Sequence, residues 1–300
     1  MKIFHKNLLV LFLITASLNC LSCDRDKYAV YSYNPELKAP VYEETVKLYR
    51  LPQGLFLTDV KVNGHTAYFL LDTGCTDTCV SSNLINRLGL KSWSVKNPGG
   101  NIASDKIKLA HIKTLTLSNI DLHNFDVNVF NLDHLEKTLK TDIDGIIGNN
   151  VLNKFVYSID FSTALLTINP SNTGRDATGI KLYDSKDGLI NIHAELNGHL
   201  TVFMIDTGSN NCFINRSLFD IIFPDSRLPR TRIEVTDISR MDEVTVRSVK
   251  VDELHIDDNI FNNAIFFEGK DNILGNRIFD KYILTVDSAN NMAYLKYTGR

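Results

Sequence analysis

The sequence predicts an all-β chain built as two similar lobes, and three observations carry that expectation. Apolar runs are short and are interrupted about every 8–12 residues by Asn, Gly, Asp or Ser, the rhythm of strands and turns in barrels and sandwiches. Helical periodicity is rare, the best case being SSNLINRLGL, with Ser81 or Ser82 as N-cap and Gly89 just past the end. The chain also repeats itself. VNGHTAYFLLDTGCTDTCVSSNLI (62–85) aligns with LNGHLTVFMIDTGSNNCFINRSLF (196–219) at an offset of 134, and DGIIGNNVLNKFVYSID (144–160) with DNILGNRIFDKYILTVD (271–287) at an offset of 127. The copies therefore differ by seven residues in their middle loops.

In chain order, residues 1–23 read as an export signal. Lys2 and Lys6 precede an apolar stretch from Leu8 to Leu18, too short for a membrane span, which needs about 20 residues. Its end, Leu21-Ser22-Cys23, resembles the lipobox of bacterial lipoproteins, in which Cys23 would carry the lipid, although Cys20 stands where Leu or Val is usual. The other reading is simple cleavage near Ser22. The protein is thus expected in a bacterial cell envelope, periplasmic or outer-membrane and lipid-anchored, or secreted. Residues 24–46 are polar with no clear period and read as a tether.

The remaining stretch, roughly 255 residues, suffices for one large or two small domains. We place a first lobe at 47–169, a connection at 170–178 and a second lobe at 179–298. The 300-residue chain carries a formal charge of −3 and no basic run, which argues against a nucleic-acid partner. Beyond Cys23 its mature part has Cys75, Cys79 and Cys212, an odd set that cannot make a complete disulfide framework. Cys79 and Cys212 read as small apolar core groups. No Cys or His grouping has metal-ligand spacing, so no metal and no cofactor are expected.

Each repeat opens with a hairpin (Asn63-Gly64, Asn197-Gly198, suited to type I′ turns) whose second strand runs into Asp-Thr-Gly. Each is followed some 70 residues later by two aliphatics and a Gly: Ile146-Ile147-Gly148 and Ile273-Leu274-Gly275. One Asp-Thr-Gly is weak evidence. Two, in matching contexts, resemble the retropepsin-like aspartic proteases, and the resemblance covers nearly all of residues 50–297 in tandem.

The resemblance implies two β-barrel lobes forming an intramolecular pseudo-dimer, a monomer complete for activity, and hydrolysis of polypeptide substrates. Asp72 and Asp206 would share one proton, so that one carboxyl acts as base toward a water and the other as acid. Thr73 and Thr207 would hydrogen-bond across the pseudo-twofold axis, and Gly74 and Gly208 would let backbone N–H groups reach the carboxylates. The aliphatic-Gly segments would form a dry wall behind them. Ser209 is expected to donate its O–H to a carboxylate, which Cys75 does poorly, making the pair asymmetric. A substrate flap is expected in SVKNPGGNIASDKIKLA, with Pro98, Gly99 and Gly100 at its tip; RIEVTDISRMDEVTVRSV is a second flap or only a loop. His65, His199, Asp160 and Asp287 read as turn residues without chemistry, and Trp93 as core or cleft lining. The competing readings are a peptide-binding protein that kept the fold but lost proteolysis, and a structural envelope lipoprotein.

Overall fold

The computed structural model describes residues 9–10, 34–38, 41–96, 106–183, 188–224, 228–236 and 241–299. The chain is all-β, two retropepsin-like lobes with four short α-helices among the described residues. Each lobe begins its barrel with the expected hairpin. Asn63 and Gly64 have φ of 50° and 85°, Asn197 and Gly198 of 48° and 78°, so both turns take two consecutive left-handed residues. His65 and His199 lie exposed beside them.

Strands Phe56–Val62 and His65–Leu71 pair antiparallel, and the alternation turns Phe69 and Leu71 toward the core while Tyr68 points out. The helix after the first Asp-Thr-Gly spans Ser82–Arg87. Ser81, not Ser82, is the N-cap, its Oγ accepting the Leu84 N–H. Gly89 (φ 62°) closes the helix, with Leu90 N–H donating to Ile85 O.

The lobes join through one antiparallel sheet of six strands in the order Glu44–Lys47, Leu165–Ile168, Tyr157–Asp160, Tyr282–Asp287, Met292–Tyr297, Thr178–Tyr183. At its middle Ser158 lies opposite Thr285, its own counterpart at the offset of 127, so the twofold passes through that pair. Glu44–Lys47 also stands to Leu165–Ile168 as Thr178–Lys181 stands to the matching strand of the second copy. The first unit thus starts inside the segment read as tether: residues 44–46 are strand, and Glu36–Leu37 pairs with His123 and Leu122. Polarity had concealed this, because edge strands are themselves polar. The signal, Cys23 and residues 24–33 lie outside the described residues, apart from the Leu9–Val10 backbone, which runs parallel to Ile233–Glu234.

The seven-residue difference between copies resolves into two changes of opposite sign. Asn128 stands opposite Cys79 and Phe267 opposite Phe213, so the strands Ile120–Phe130 and Asn259–Gly269 are displaced by 139, against 134 at the loops before them and 127 after. The second copy gains five residues before this strand. The first has twelve more after it, where helix Asp133–Leu139 sits.

Candidate active site

An apolar strand can end in a buried carboxylate only if its neighbours receive the charge. Met204, Ile205 and Asp206 pair in parallel with Ile273, Leu274 and Gly275; Phe69, Leu70 and Leu71 pair likewise with Gly145, Ile146 and Ile147. Asp72 N–H then donates to Ile147 O at 3.1 Å. Ile146, Ile147, Ile273 and Leu274 are fully buried, forming the dry wall. Behind them the backbone passes so closely that a Cβ on Gly148 would lie 2.7 Å from the Asp77 carbonyl carbon, and one on Gly275 2.4 Å from Asn211 O.

The threonines tie the two loops together reciprocally. Thr73 N–H donates to Thr207 Oγ1 and Thr207 N–H to Thr73 Oγ1, both at 3.0 Å. Each hydroxyl passes its own proton across the axis, Thr73 Oγ1 to Ile205 O at 2.8 Å and Thr207 Oγ1 to Leu71 O at 2.9 Å. All four bonds are buried, each worth about 1 kcal/mol net, and losing one partner would leave groups that cost more.

This grip sets the aspartates face to face. Gly74 N–H donates to Asp72 Oδ1 and Gly208 N–H to Asp206 Oδ1, both at 2.8 Å. A Cβ on Gly74 would stand 2.5 Å from Asp206 Cγ, and one on Gly208 2.5 Å from Asp72 Cγ, so each glycine makes room for the opposite carboxyl. Both aspartates are fully buried, and neither Oδ2 receives a hydrogen bond from a described residue. Burial pushes both carboxyls above the ordinary range; the charge of Asp206 and a hydrogen bond with its carboxyl push Asp72 further up, while that same carboxyl–carboxyl hydrogen bond, and after it the backbone N–H groups of Gly208 and Ser209, restrain Asp206. Two buried acceptors with nothing to accept are relieved by one proton between them. Such an arrangement can hold a single proton between the two carboxyls.

Ser209 departs from expectation. Its Oγ donates to Asn211 O at 2.9 Å, and it is the Ser209 backbone N–H that reaches Asp206. Cys75 Sγ likewise donates to Asp77 O at 3.0 Å. Both side chains close a turn of their own loop, and the donor asymmetry expected from Ser against Cys is not present in these bonds.

The sequence reading missed Asn149 and Asn276, which follow the rear glycines at equivalent positions and are almost fully buried. Asn149 Nδ2 donates to Thr73 O and Cys75 O; Asn276 Nδ2 donates to Thr207 O and to Gly54 O of the other lobe. Gly-Asn in both copies was the available signal. Gly54 (φ 86°) and its counterpart Gly188 (φ 73°) carry turns that cross to the opposite lobe, the latter accepting Asn153 Nδ2 at 2.7 Å.

Two hairpins stand where flaps were expected. Ser92–Lys96 pairs with Lys106–Leu117, and Arg230–Thr236 with Met241–Ile256, so the second region is a hairpin and not an irregular loop. Pro98, Gly99 and Gly100 lie outside the described residues. Trp93 packs on Ile107 and Leu109 within the first hairpin. Asp160 and Asp287 serve turns, accepting bonds from Ser162 and Asn290. Cys79 and Cys212 are buried and free.

Residues 58–151 match the family model described as aspartyl protease. The matched segment holds the first Asp-Thr-Gly and its rear glycine, and the second copy repeats both outside it. No curated protein matches the chain.

Proposed function

We propose that the protein is an aspartic endopeptidase in which Asp72 and Asp206 activate a water for attack on a peptide carbonyl. What supports this most is the pair of facing, buried carboxyls whose Oδ2 atoms find no donor among the described residues. With one proton shared, the ionised carboxyl takes a proton from the water as it attacks, and the protonated one gives its proton to the carbonyl oxygen. The gem-diol then collapses: the carboxyl that took the water's proton gives it to the leaving amine, and a gem-diol hydroxyl returns its proton to the other carboxylate as the C–N bond breaks, restoring the singly protonated pair. No covalent enzyme intermediate forms. Thr73 and Thr207 hold the geometry, and Gly74, Gly208 and the Ser209 backbone limit how far burial raises the carboxyls. An extended polypeptide would lie between the aspartates and the two hairpins.

The reading extends to location: residues 1–23 direct export, and Cys23 carries a lipid anchor to the envelope. Lipid labelling that persists in Cys23→Ala would refute the anchor. With both aspartates in one chain the active species is a monomer, and sedimentation of the active fraction at twice the chain mass would refute that. The decisive experiment is cleavage of a mixed peptide library from acidic to neutral pH beside Asp72→Asn and Asp206→Asn. Cleavage by the wild type alone is the expected result; a folded wild type that cuts nothing, or variants that cut equally well, would sink the proposal.

A further inference from the structure

The two lobes differ at one edge in a way the proteolytic reading does not use. In the first lobe the strand Ile120–Phe130 pairs along one side with Cys79–Ser81 and, further back on that side, with the chain's own Glu36–Leu37. Leu37 lies opposite Leu122 and Glu36 opposite His123. The carboxylate of Glu36 is held by Asn124, whose Nδ2 donates to Glu36 Oε2 at 3.2 Å. Asn124 sits at a left-handed residue (φ 53°) where the ladder with the preceding strand is interrupted.

At the displacement of 139 the second lobe has the same strand, Asn259–Gly269, paired on that side with Cys212–Asn215. It has the same interruption too, with Asn263 at φ 60° in the place of Asn124. Among the described residues no strand continues beside Phe261 and Asn262, the counterparts of Leu122 and His123. A cavity of about 660 Å³ opens there, lined among others by Phe261, Asn263, Arg277, Lys281, Tyr282 and Tyr297.

Composition along this edge also changes in one direction. Asp121 and Asp126 of the first copy become Ile260 and Ile265, which are 47% and 42% exposed. Open edges are ordinarily defended by charge, and exposed isoleucines instead make a template for another strand. Asn150 becomes Arg277, and Lys281 stands nearby, while Asp280 is engaged by Arg50. The cavity therefore favours an anion.

We propose that the Phe261–Asn262 edge of the second lobe docks an extended segment of another protein, an acidic residue followed by an aliphatic one. The segment adds an antiparallel strand as Glu36–Leu37 does in the first lobe. Asn263 holds the carboxylate, Arg277 and Lys281 favour it by charge, and the aliphatic side chain packs toward Phe261 and Tyr282. The site is separate from the aspartates and stands whether or not the protein cleaves peptides.

The test uses a labelled synthetic peptide of residues 31–41, containing Asn34-Pro35-Glu36-Leu37-Lys38, and full-length protein carrying Asp72→Asn so that the probe is not cut. Fluorescence polarisation should show saturable binding, weakened at least tenfold by Asn263→Asp, which keeps the left-handed residue but repels Glu36, and by Glu36→Gln in the peptide. Ile260→Asp, restoring the first copy's residue, should weaken it less. Absence of binding, or binding indifferent to Asn263→Asp in protein whose melting is unchanged, would overturn the proposal and, in the second case, put the peptide in the cleft. Concentration-dependent self-association lost in Asn263→Asp would overturn the assignment to another protein and give the edge to a second copy.

Discussion

The two lobes present nearly identical loops to the axis yet support them from behind with different materials. In the first, helix Asp133–Leu139 brings Leu132, Leu135 and Leu139 against Leu70, Cys75, Cys79 and Ile146. The second lacks that helix, and the same place is filled by Phe213 and Phe267 with Met204, Ile273 and Ile233. Cys79 and Phe213 are equivalent residues, so the small side chain belongs to the lobe where the helix supplies volume. Ile233 comes from the hairpin of Arg230–Thr236 and Met241–Ile256, which it ties to the second lobe's core.

A second contrast lies at the root of that hairpin. Glu268 accepts from Arg216 and from Arg247, and Arg247 also pairs with Asp220 and lies over Phe219. The first copy has Val129, Ser82, Lys108 and Asn86 at these positions. The second lobe thus braces its hairpin with charge while the first adds a helix. The loops at the axis are held to one geometry by a symmetric requirement, and the supports behind them need only fill space and satisfy polar groups.

The largest effect should come from breaking the symmetric part. Asp72→Asn and Asp206→Asn should each lower kcat by about 10²- to 10⁴-fold or more, since either change removes half of the acid-base pair. Retained activity in one of them would break the equivalence of the lobes. The same variants should be more stable than wild type at neutral pH. Both carboxyls are raised, so the folded pair holds protons that the unfolded chain releases; its contribution favours folding below the ordinary carboxylate range and is lost as pH rises through the folded values. Melting temperatures compared at pH 4 and 7 check the sign.

Next come the supports. Phe213→Ala should cost about 3–5 kcal/mol, with Cys79→Ala far milder, because the first lobe's equivalent volume comes from Leu135 and Leu139. Equal losses in urea denaturation would mean that the helix does not substitute for the ring. The threonine grip follows at about 2–3 kcal/mol: Thr207→Val leaves Thr73 N–H without its acceptor and Leu71 O without its donor, and Thr73→Val should match it by symmetry.

A smaller effect sharpens the electrostatic contrast. Burial alone would raise Glu268, but hydrogen bonds from Arg247 and Arg216 bring it down to about 2. A lowered carboxyl contributes stability above its unfolded value, near 4.5, and loses it as pH falls toward 2. Glu268→Gln should therefore lower stability by about 1–2 kcal/mol at pH 6, after allowance for solvent screening, and by little at pH 2. Hydrogen exchange in 230–236 should rise at acidic pH in the wild type, with 92–96 indifferent.

How much of this was legible follows from what each residue must do locally. Asp72, Asp206, their threonines and glycines stand in a fixed short pattern, and the hairpins announce themselves through Asn-Gly. The six-stranded sheet did not, because Glu44–Lys47 finds its partner Leu165–Ile168 more than a hundred residues away and carries only Val46 toward the core. Asn149 and Asn276 were visible as a repeat but not as supports, since an amide reveals its acceptors only when the chain has closed. The docking of Glu36–Leu37 was read as tether for the same reason.

Ser209 against Cys75 is the most instructive miss. Residue type alone suggested a hydroxyl donor on one carboxylate and a poor thiol donor on the other, hence an asymmetric pair. The position, immediately after a glycine that turns the chain, instead directs Oγ to Asn211 O and Sγ to Asp77 O. Cys75→Ser should therefore leave the acidic limb of the pH-rate profile where it stands and change stability by less than about 1 kcal/mol, the hydroxyl taking the thiol's place on Asp77 O. Ser209→Ala should lose a little stability through Asn211 and leave that limb unmoved as well. A limb that shifts in Ser209→Ala but not in Cys75→Ser would mean that the hydroxyl turns toward Asp206 when substrate binds, and the lobes would then differ at the axis and not only behind it.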